Sequence, residues 1–181
     1  KGFWYCENEE GHCFDQLLCN ELQSIFFENK INSIVDFGCG PGKYVKSFRN
    51  SNLDCIGYDG NPNTPKYTDG VCKVLDLSED FDLNTKFDCV MSLEVGEHIP
   101  KQYEKTFIDN LSKHVSNYLI ISWAVPGQGG DGHVNCQTNQ YVIDEVCSRG
   151  FTLNYDLSNR IRNASSLSWF KNTLFVFEKN K

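Results

Sequence analysis

Apolar positions along the chain switch between two periods. Phe14, Leu17, Leu18, Leu22, Ile25 and Phe26 recur at helical spacing and predict a helix over 14–29. A short apolar run at 33–37 then opens into Gly-Cys-Gly-Pro-Gly and a polar helical stretch to about Asn50. Further apolar runs predict strands at 54–58, 71–75, 87–93 and 118–123, with helices near 102–114 and 139–148 between the later ones. Strands at 151–157 and 173–178 complete the pattern. Strands alternating with helices at this spacing form βαβ units, so the expected fold is α/β, doubly wound, with a mostly parallel sheet. Such sheets bind ligands outside the carboxyl ends of their strands, at the point where the strand order reverses. The residues that follow each strand are therefore where chemistry is expected.

Composition narrows the class. A chain of 181 residues accommodates one domain with a sizeable core, and it is read as a single domain over 1–181, with 1–30 as an N-terminal lid and helix. Its start at Lys1 rather than Met suggests a piece of a longer multidomain chain. Hydrophobic residues at 40% and charged residues at 23% are ordinary for a globular protein, and no apolar run reaches the roughly 20 residues of a membrane-spanning helix. No membrane partner is expected. The net charge is −7 and no basic run occurs, which weighs against a nucleic-acid substrate. The nine cysteines are odd in number and lack a CxxC pair, so they indicate neither a disulfide framework nor a zinc ribbon. A reducing, cytoplasmic location follows as an expectation, with the sequons at Asn110 and Asn163 unused.

The chemistry begins after the first strand. Gly38, Gly40 and Gly42 allow a sharp turn and a close backbone approach to a ligand, since no Cβ intervenes. An acid, Asp36, stands two positions before the first of them. The second strand ends in Asp59, where a carboxylate is placed to accept hydrogen bonds from both hydroxyls of a ribose. After the fourth strand the chain reads Ser92-Leu-Glu-Val-Gly-Glu-His-Ile-Pro100. Glu94, Glu97 and His98 share one face if that segment is helical. Two carboxylates and an imidazole beside a cofactor need a compensating charge, and oxygen ligands suit Mg2+ or Mn2+. His133, in the glycine-rich loop after the fifth strand, is placed to swing over the same site. A plainer reading stays open: Glu94 and Glu97 as acids at a helix start, His98 as a packed core residue, and His133 as a loop residue.

These motifs resemble the class I S-adenosylmethionine-dependent methyltransferases over nearly the whole chain. The resemblance implies a seven-stranded sheet with an antiparallel final strand and S-adenosyl-L-methionine as cofactor. It places Asp36, Gly38, Gly40 and Gly42 in the first cofactor motif, and Asp59, Gly60 and Asn61 in the ribose-binding turn. Asp76 and Leu77 then fall beside the adenine and Leu93 beside the methionine part. Glu-x-x-Glu-His with a later histidine resembles the magnesium site of the small-RNA 3′-end methyltransferases, and in part the ubiquinone-pathway O-methyltransferases. That likeness implies Glu94, Glu97, His98 and His133 as ligands of a divalent metal, with Glu94, His98 and His133 as the catalytic set. His98 or His133 serves as general base if it is not a ligand.

Three acceptors compete: a sugar, the 2′-hydroxyl of an RNA 3′ end, and a small phenol or quinone. The acidic chain, the polar residues Gln128, Asp131, Asn135 and Gln137, and the aromatics Trp4, Tyr5, Trp123 and Trp169 favour the sugar, although each aromatic also reads as core or lid packing. Residues 92–100 and 122–135 are similar to methyltransferase domains of algae and their large DNA viruses. That resemblance implies O-methylation of a capsid-glycan sugar such as terminal rhamnose, glycosyltransferase domains in the same chain, and the host cytoplasm. A module that binds cofactor without transfer is disfavoured by the intact acidic cluster. Transfer to protein nitrogen is disfavoured by the lack of an Asn-Pro-Pro-Tyr motif. Residues 2–13 are read as a lid, with His12 as a candidate contact to cofactor or substrate.

Overall fold

The computed structural model describes residues 12–181. Its elements in chain order are α1 (Gln16–Glu28), β1 (Ser33–Phe37), α2 (Lys43–Asn50), β2 (Asp54–Asp59), α3 (Thr64–Tyr67), β3 (Lys73–Val74) and β4 (Phe87–Leu93). Two 3-10 turns, Gly96–His98 and Lys101–Tyr103, lead into α4 (Glu104–Lys113) and β5 (Val115–Ser122). The chain ends with α5 (Asn139–Cys147), β6 (Phe151–Leu153), α6 (Tyr155–Ala164), α7 (Phe170–Thr173) and β7 (Phe175–Lys179).

The seven strands form one sheet in the order β3-β2-β1-β4-β5-β7-β6. Pairs up to β4–β5 are parallel, and β7 runs antiparallel to both β5 and β6. The central strands are buried on both faces, and their period-2 alternation delivers side chains to two cores. Ile34, Cys89, Met91, Ile120 and Val176 enter a cluster with Leu18, Phe26, Phe48 and Ile161, beneath α1, α2 and α6. Val35, Val90, Leu119, Ile121 and Phe177 enter the opposite cluster with Phe107, Leu111 and Val146, beneath α4 and α5. The order reverses between β1 and β4, so the crevice beyond their carboxyl ends is the expected ligand site.

Four predicted boundaries change. The alternation Phe151, Leu153, Tyr155, Leu157 suggests one strand, but β6 stops at Leu153. Asn154 Oδ1 accepts from Leu157 N at 2.8 Å and caps α6, which turns Leu157 and Ile161 inward and leaves Tyr155 70% exposed. The predicted strand at 71–75 shrinks to Lys73–Val74, because Cys72 N–H bonds Thr68 Oγ1 at 3.0 Å instead of the ladder. Thr173 closes α7 through its hydroxyl bond to Trp169 O, so β7 begins two residues later than predicted. In the other direction, β5 begins at Val115, before the predicted 118. The sequon residue Asn110 is buried and bonds the carbonyls of Leu77 and Glu79, so in the fold it is closed to modification. Among the described residues no helix is long and apolar enough to cross a membrane.

Candidate active site

The turn after β1 is built on left-handed glycines: φ is +87° at Gly38, +52° at Gly40 and +70° at Gly42. None of them leaves room for a side chain, a Cβ on Gly42 falling 2.7 Å from Thr68 Cγ2. A Cβ on Gly38 would stand 2.2 Å from Val95 Cγ2, and one on Gly40 would stand 2.7 Å from His12 Nδ1. Gly38 N and Cys39 N both donate to Tyr58 O, at 2.7 and 3.1 Å, which fastens the turn to the end of β2. Asp59 then accepts from Gly40 N at 2.9 Å and from Asn61 N at 2.8 Å. Burial pushes the Asp59 carboxyl up, and those two backbone bonds offset part of the rise. Asp36 is 3% exposed, and its burial, with Cys72 and Asp59 nearby, raises its carboxyl well above the usual range.

A cleft of about 510 Å³ opens beyond β1 and β4. Asp36, Gly38, Leu93, Glu94, His98 and His133 line it, so the structure brings six of the predicted residues together. Gly40 and Gly42 belong to the same turn but are not among the lining residues. Asp59, Gly60, Asn61, Asp76 and Leu77 are not among its lining residues. Asp76 Oδ1 accepts from Ser78 N and Oγ, at 3.0 and 2.6 Å, and Leu77 is 5% exposed. Of the predicted aromatics, Trp169 lines the cleft, whereas Trp123 is 1% exposed and belongs to the core. Trp4 and Tyr5 lie outside the described residues, as does most of the predicted lid. His12 does line the cleft, against Gly40. Its burial, with Lys43 and His98 close by, lowers its pKa to about 4.

The acidic segment after β4 is not the helical face that its spacing suggests. Glu94 has φ +54°, a left-handed conformation, and Gly96–His98 is a 3-10 turn. The bend is held by Glu94 N donating to Ser122 Oγ at 2.8 Å, and by Gly96, whose missing Cβ leaves space for the Trp123 ring. Glu97, His98 and His133 nevertheless form a group whose ligand atoms all lie within 4.8 Å of one another. His133 Nε2 is 4.0 Å from Glu97 Oε1, and the two imidazoles meet edge to face at 5.1 Å. Glu94 lies beside this trio and not in it, and Gln128 Nε2 donates to its Oε2 at 2.7 Å. Burial pushes the Glu97 pKa to about 8, with the charge of Glu94 adding to the rise. Burial raises Glu94 as well.

This donor set fits a divalent cation. Glu97 is fully buried, yet neither of its carboxylate oxygens has a hydrogen-bond partner, and Glu94 Oε1 has none either. Buried carboxylates without donors are costly, and cation ligation satisfies them. His98 Nδ1 lies 3.1 Å from Gly132 O. A carbonyl only accepts, so Nδ1 carries the proton and Nε2 holds the lone pair. A ligating histidine is commonly oriented in this way. Burial also lowers the His98 pKa, which keeps its imidazole neutral near pH 7.

Sequence reasoning passed over Lys43, Tyr44 and Phe170, which also line the cleft. Lys43 and Tyr44 follow the glycine turn directly, and that position was the available signal.

A family model described as a methyltransferase domain matches residues 9–122. The chain is 25% identical over 137 residues to the chloroplastic tocopherol O-methyltransferase of Arabidopsis thaliana, covering 66% of this chain and 38% of that protein. It therefore spans little more than a third of the length of that curated relative. The SAM-bound amino pentose methyltransferase CalS10 of Micromonospora echinaspora has a similar fold, with TM-score 0.73, 15% identity and coverage of 95% and 94% of the two chains. The SAH-bound magnesium protoporphyrin IX methyltransferase of Synechocystis PCC 6803 superposes with TM-score 0.70, 14% identity and coverage of 90% and 82%.

Proposed function

The chain belongs to the methyltransferase-domain family, as a class I S-adenosylmethionine-dependent methyltransferase, and we propose that it O-methylates a sugar hydroxyl with the help of a divalent cation. The observation that carries this reading is the set of three buried, partnerless carboxylate oxygens on Glu94 and Glu97, facing two histidines at the cofactor edge of the sheet. Glu94, Glu97, His98 and His133 would hold the cation. When bound, such an ion lowers the pKa of a hydroxyl held beside it. The hydroxyl proton would leave to solvent and the methyl group would pass from the sulfonium sulfur to that oxygen, the S–C bond breaking as the O–C bond forms.

The chain's own residues supply position and proton transfer. The turn at 38–42, fixed to β2 through Tyr58 O and Asp59, would let its glycine backbone approach the cofactor closely. Leu93 and Asp36 line the cleft beside that turn, where Leu93 would border the methionine part of the cofactor. Holding acceptor and donor at one sheet edge contributes much of the rate, because it converts a bimolecular encounter into an intramolecular step. If His98 is not a ligand, its neutral imidazole takes the hydroxyl proton.

The sugar reading draws on the acidic chain, on Trp169 and the polar loop residues Gln128 and Asp131 at the cleft, and on the amino pentose that the similarly folded CalS10 methylates. A terminal deoxyhexose such as rhamnose is the acceptor proposed, in a glycan built by glycosyltransferases. A phenol is the second reading, favoured by the sequence relationship to a tocopherol O-methyltransferase. The test is radiolabelled methyl transfer from S-adenosylmethionine to a panel: a rhamnoside, a catechol and an RNA oligonucleotide with a free 3′ end. Preferential labelling of the rhamnoside supports the proposal. Labelling of the catechol or the RNA alone overturns the sugar assignment and leaves the methyltransferase assignment in place.

A further inference from the structure

Glu104 opens α4 outside the cleft, and only 1% of it is exposed. A buried carboxylate needs donors, and four converge on this one. Lys101 Nζ lies 2.8 Å from Oε1, and the Tyr141 hydroxyl donates to the same oxygen. Asn135 Nδ2 and Gln137 Nε2 donate to Oε2 at 2.8 and 3.0 Å. Burial works against the charge, but the bonds from Lys101, Tyr141 and Asn135 outweigh it and hold the carboxyl below its usual range.

Two of those donors lie just past His133. Asn135 is itself buried, and its carbonyl accepts from Trp123 Nε1 at 2.7 Å. Val134 N and Asn135 N both donate to Glu97 O at 2.9 Å, and Gln137 N donates to Ala124 O at 3.0 Å. The stretch 134–137 is thus laced to the backbone of the Glu97 turn on one side and to the Glu104 carboxylate on the other. Upstream the loop is held more lightly: four of the six residues from 127 to 132 are glycine, a Cβ at Gly127 or Gly129 would meet nothing within 4 Å, and the bonds to the site are those of Gln128 Nε2 to Glu94 Oε2 at 2.7 Å and of His98 Nδ1 to Gly132 O at 3.1 Å. The denser set of bonds that holds His133 beside Glu97 is therefore on its C-terminal side.

We infer that Glu104 is a positioning residue for cation binding: its carboxylate clamps Asn135 and Gln137 and so holds His133 against Glu97 and His98. This rests on the metal-assisted reading proposed above. In Glu104→Gln the side-chain amide would face Lys101, Asn135 and Gln137 with a donor in place of an acceptor. The loop then loses its clamp while the glycine turn and Asp59, on the other half of the sheet, keep their bonds.

The test measures Mn2+ binding to the purified protein by electron paramagnetic resonance, with S-adenosylhomocysteine affinity and the metal-free unfolding midpoint measured in parallel. Outer-shell partners of metal ligands typically alter affinity by about 10–100-fold. Glu104→Gln is expected to weaken Mn2+ at least about tenfold, with S-adenosylhomocysteine affinity within about twofold of wild type. Gln137→Ala, which removes one arm of the clamp, is expected to show a smaller loss in the same direction, and it carries the test if Glu104→Gln does not fold. Unchanged Mn2+ affinity in folded variants, whatever their unfolding midpoints, overturns the inference. Wild-type protein that binds no Mn2+ overturns the metal reading and this inference with it.

Discussion

Replacing Asp15 by Asn removes the most heavily bonded carboxylate between the N-terminal helix and the C-terminal third of the chain. Asp15 is fully buried. Its Oδ1 caps α1 by accepting from Leu18 N at 3.1 Å. Its Oδ2 accepts from Ser165 Oγ at 2.5 Å, Ser166 N at 2.7 Å and Leu167 N at 3.0 Å. Burial raises the carboxyl pKa, but these bonds, led by Ser165, prevail and hold it at about 2, against 3.8 for the free group. At about 1.4 kcal/mol per unit, that shift is worth about 2.5 kcal/mol of stability at neutral pH. An asparagine keeps the Leu18 cap but turns an amide donor toward three other donors, leaving buried N–H groups unpaired. The expected loss is about 3 kcal/mol, or a fall of about 6–12 °C in Tm for a domain of this size. Because the folded pKa lies below the unfolded one, the contribution is complete above pH 4 and disappears as pH falls through about 2. Urea unfolding of both proteins from pH 7 down to pH 2.5, followed by tryptophan fluorescence, gives the stability gap directly. A gap under about 0.5 kcal/mol at pH 7, or one that does not narrow below pH 4, would refute the reasoning.

Three further outcomes follow from the site. Gly38→Ala forces a side chain to φ +87° and into Val95, so S-adenosylhomocysteine affinity by calorimetry should fall at least about tenfold, or about 1.4 kcal/mol; unchanged affinity would show that the turn tolerates a Cβ. Gly96→Ala drives a Cβ to within 2.3 Å of the Trp123 ring and should cost about 1–3 kcal/mol in denaturant unfolding, with a changed emission spectrum for the folded state. Asp59→Ala removes the acceptor for Gly40 N and Asn61 N, so cofactor affinity should fall while Mn2+ affinity holds. Equal loss of both ligands would show that the two halves of the site are not independent.

Much of this was readable in the sequence, for physical reasons. Left-handed backbone at positions 38, 40 and 42 is encoded by glycine, so the turn announces itself, and the strand ends place Asp36 and Asp59 on either side of it. The doubly buried strands read as apolar runs, and the mostly parallel, doubly wound character of the sheet follows from their alternation with helices. Other features leave no such trace. Glu94 takes φ +54° because Ser122 and the Trp123–Gly96 contact hold it there, and nothing local in the segment signals that bend. The Glu94–Glu97–His98 spacing therefore pointed to residues that do lie close together, but through a helical face that the chain does not form. His133 was named without a means of placing it, since its position depends on Asn135 and Gln137 reaching a carboxylate 31 and 33 positions upstream. In α6, alternating apolar residues imitate a strand until the cap at Asn154 decides for helix.

Metal-assisted methyl transfer at Glu94, Glu97, His98 and His133 is the function proposed for this chain. Its most direct test is transfer to the preferred acceptor before and after exhaustive chelation, with Mg2+ or Mn2+ then restored, for wild type and Glu97→Gln. Activity is expected to vanish on chelation and to return with metal in wild type alone, with cofactor binding intact in both proteins. Activity indifferent to the chelator, or a Glu97→Gln variant as active as wild type, would contradict the proposal.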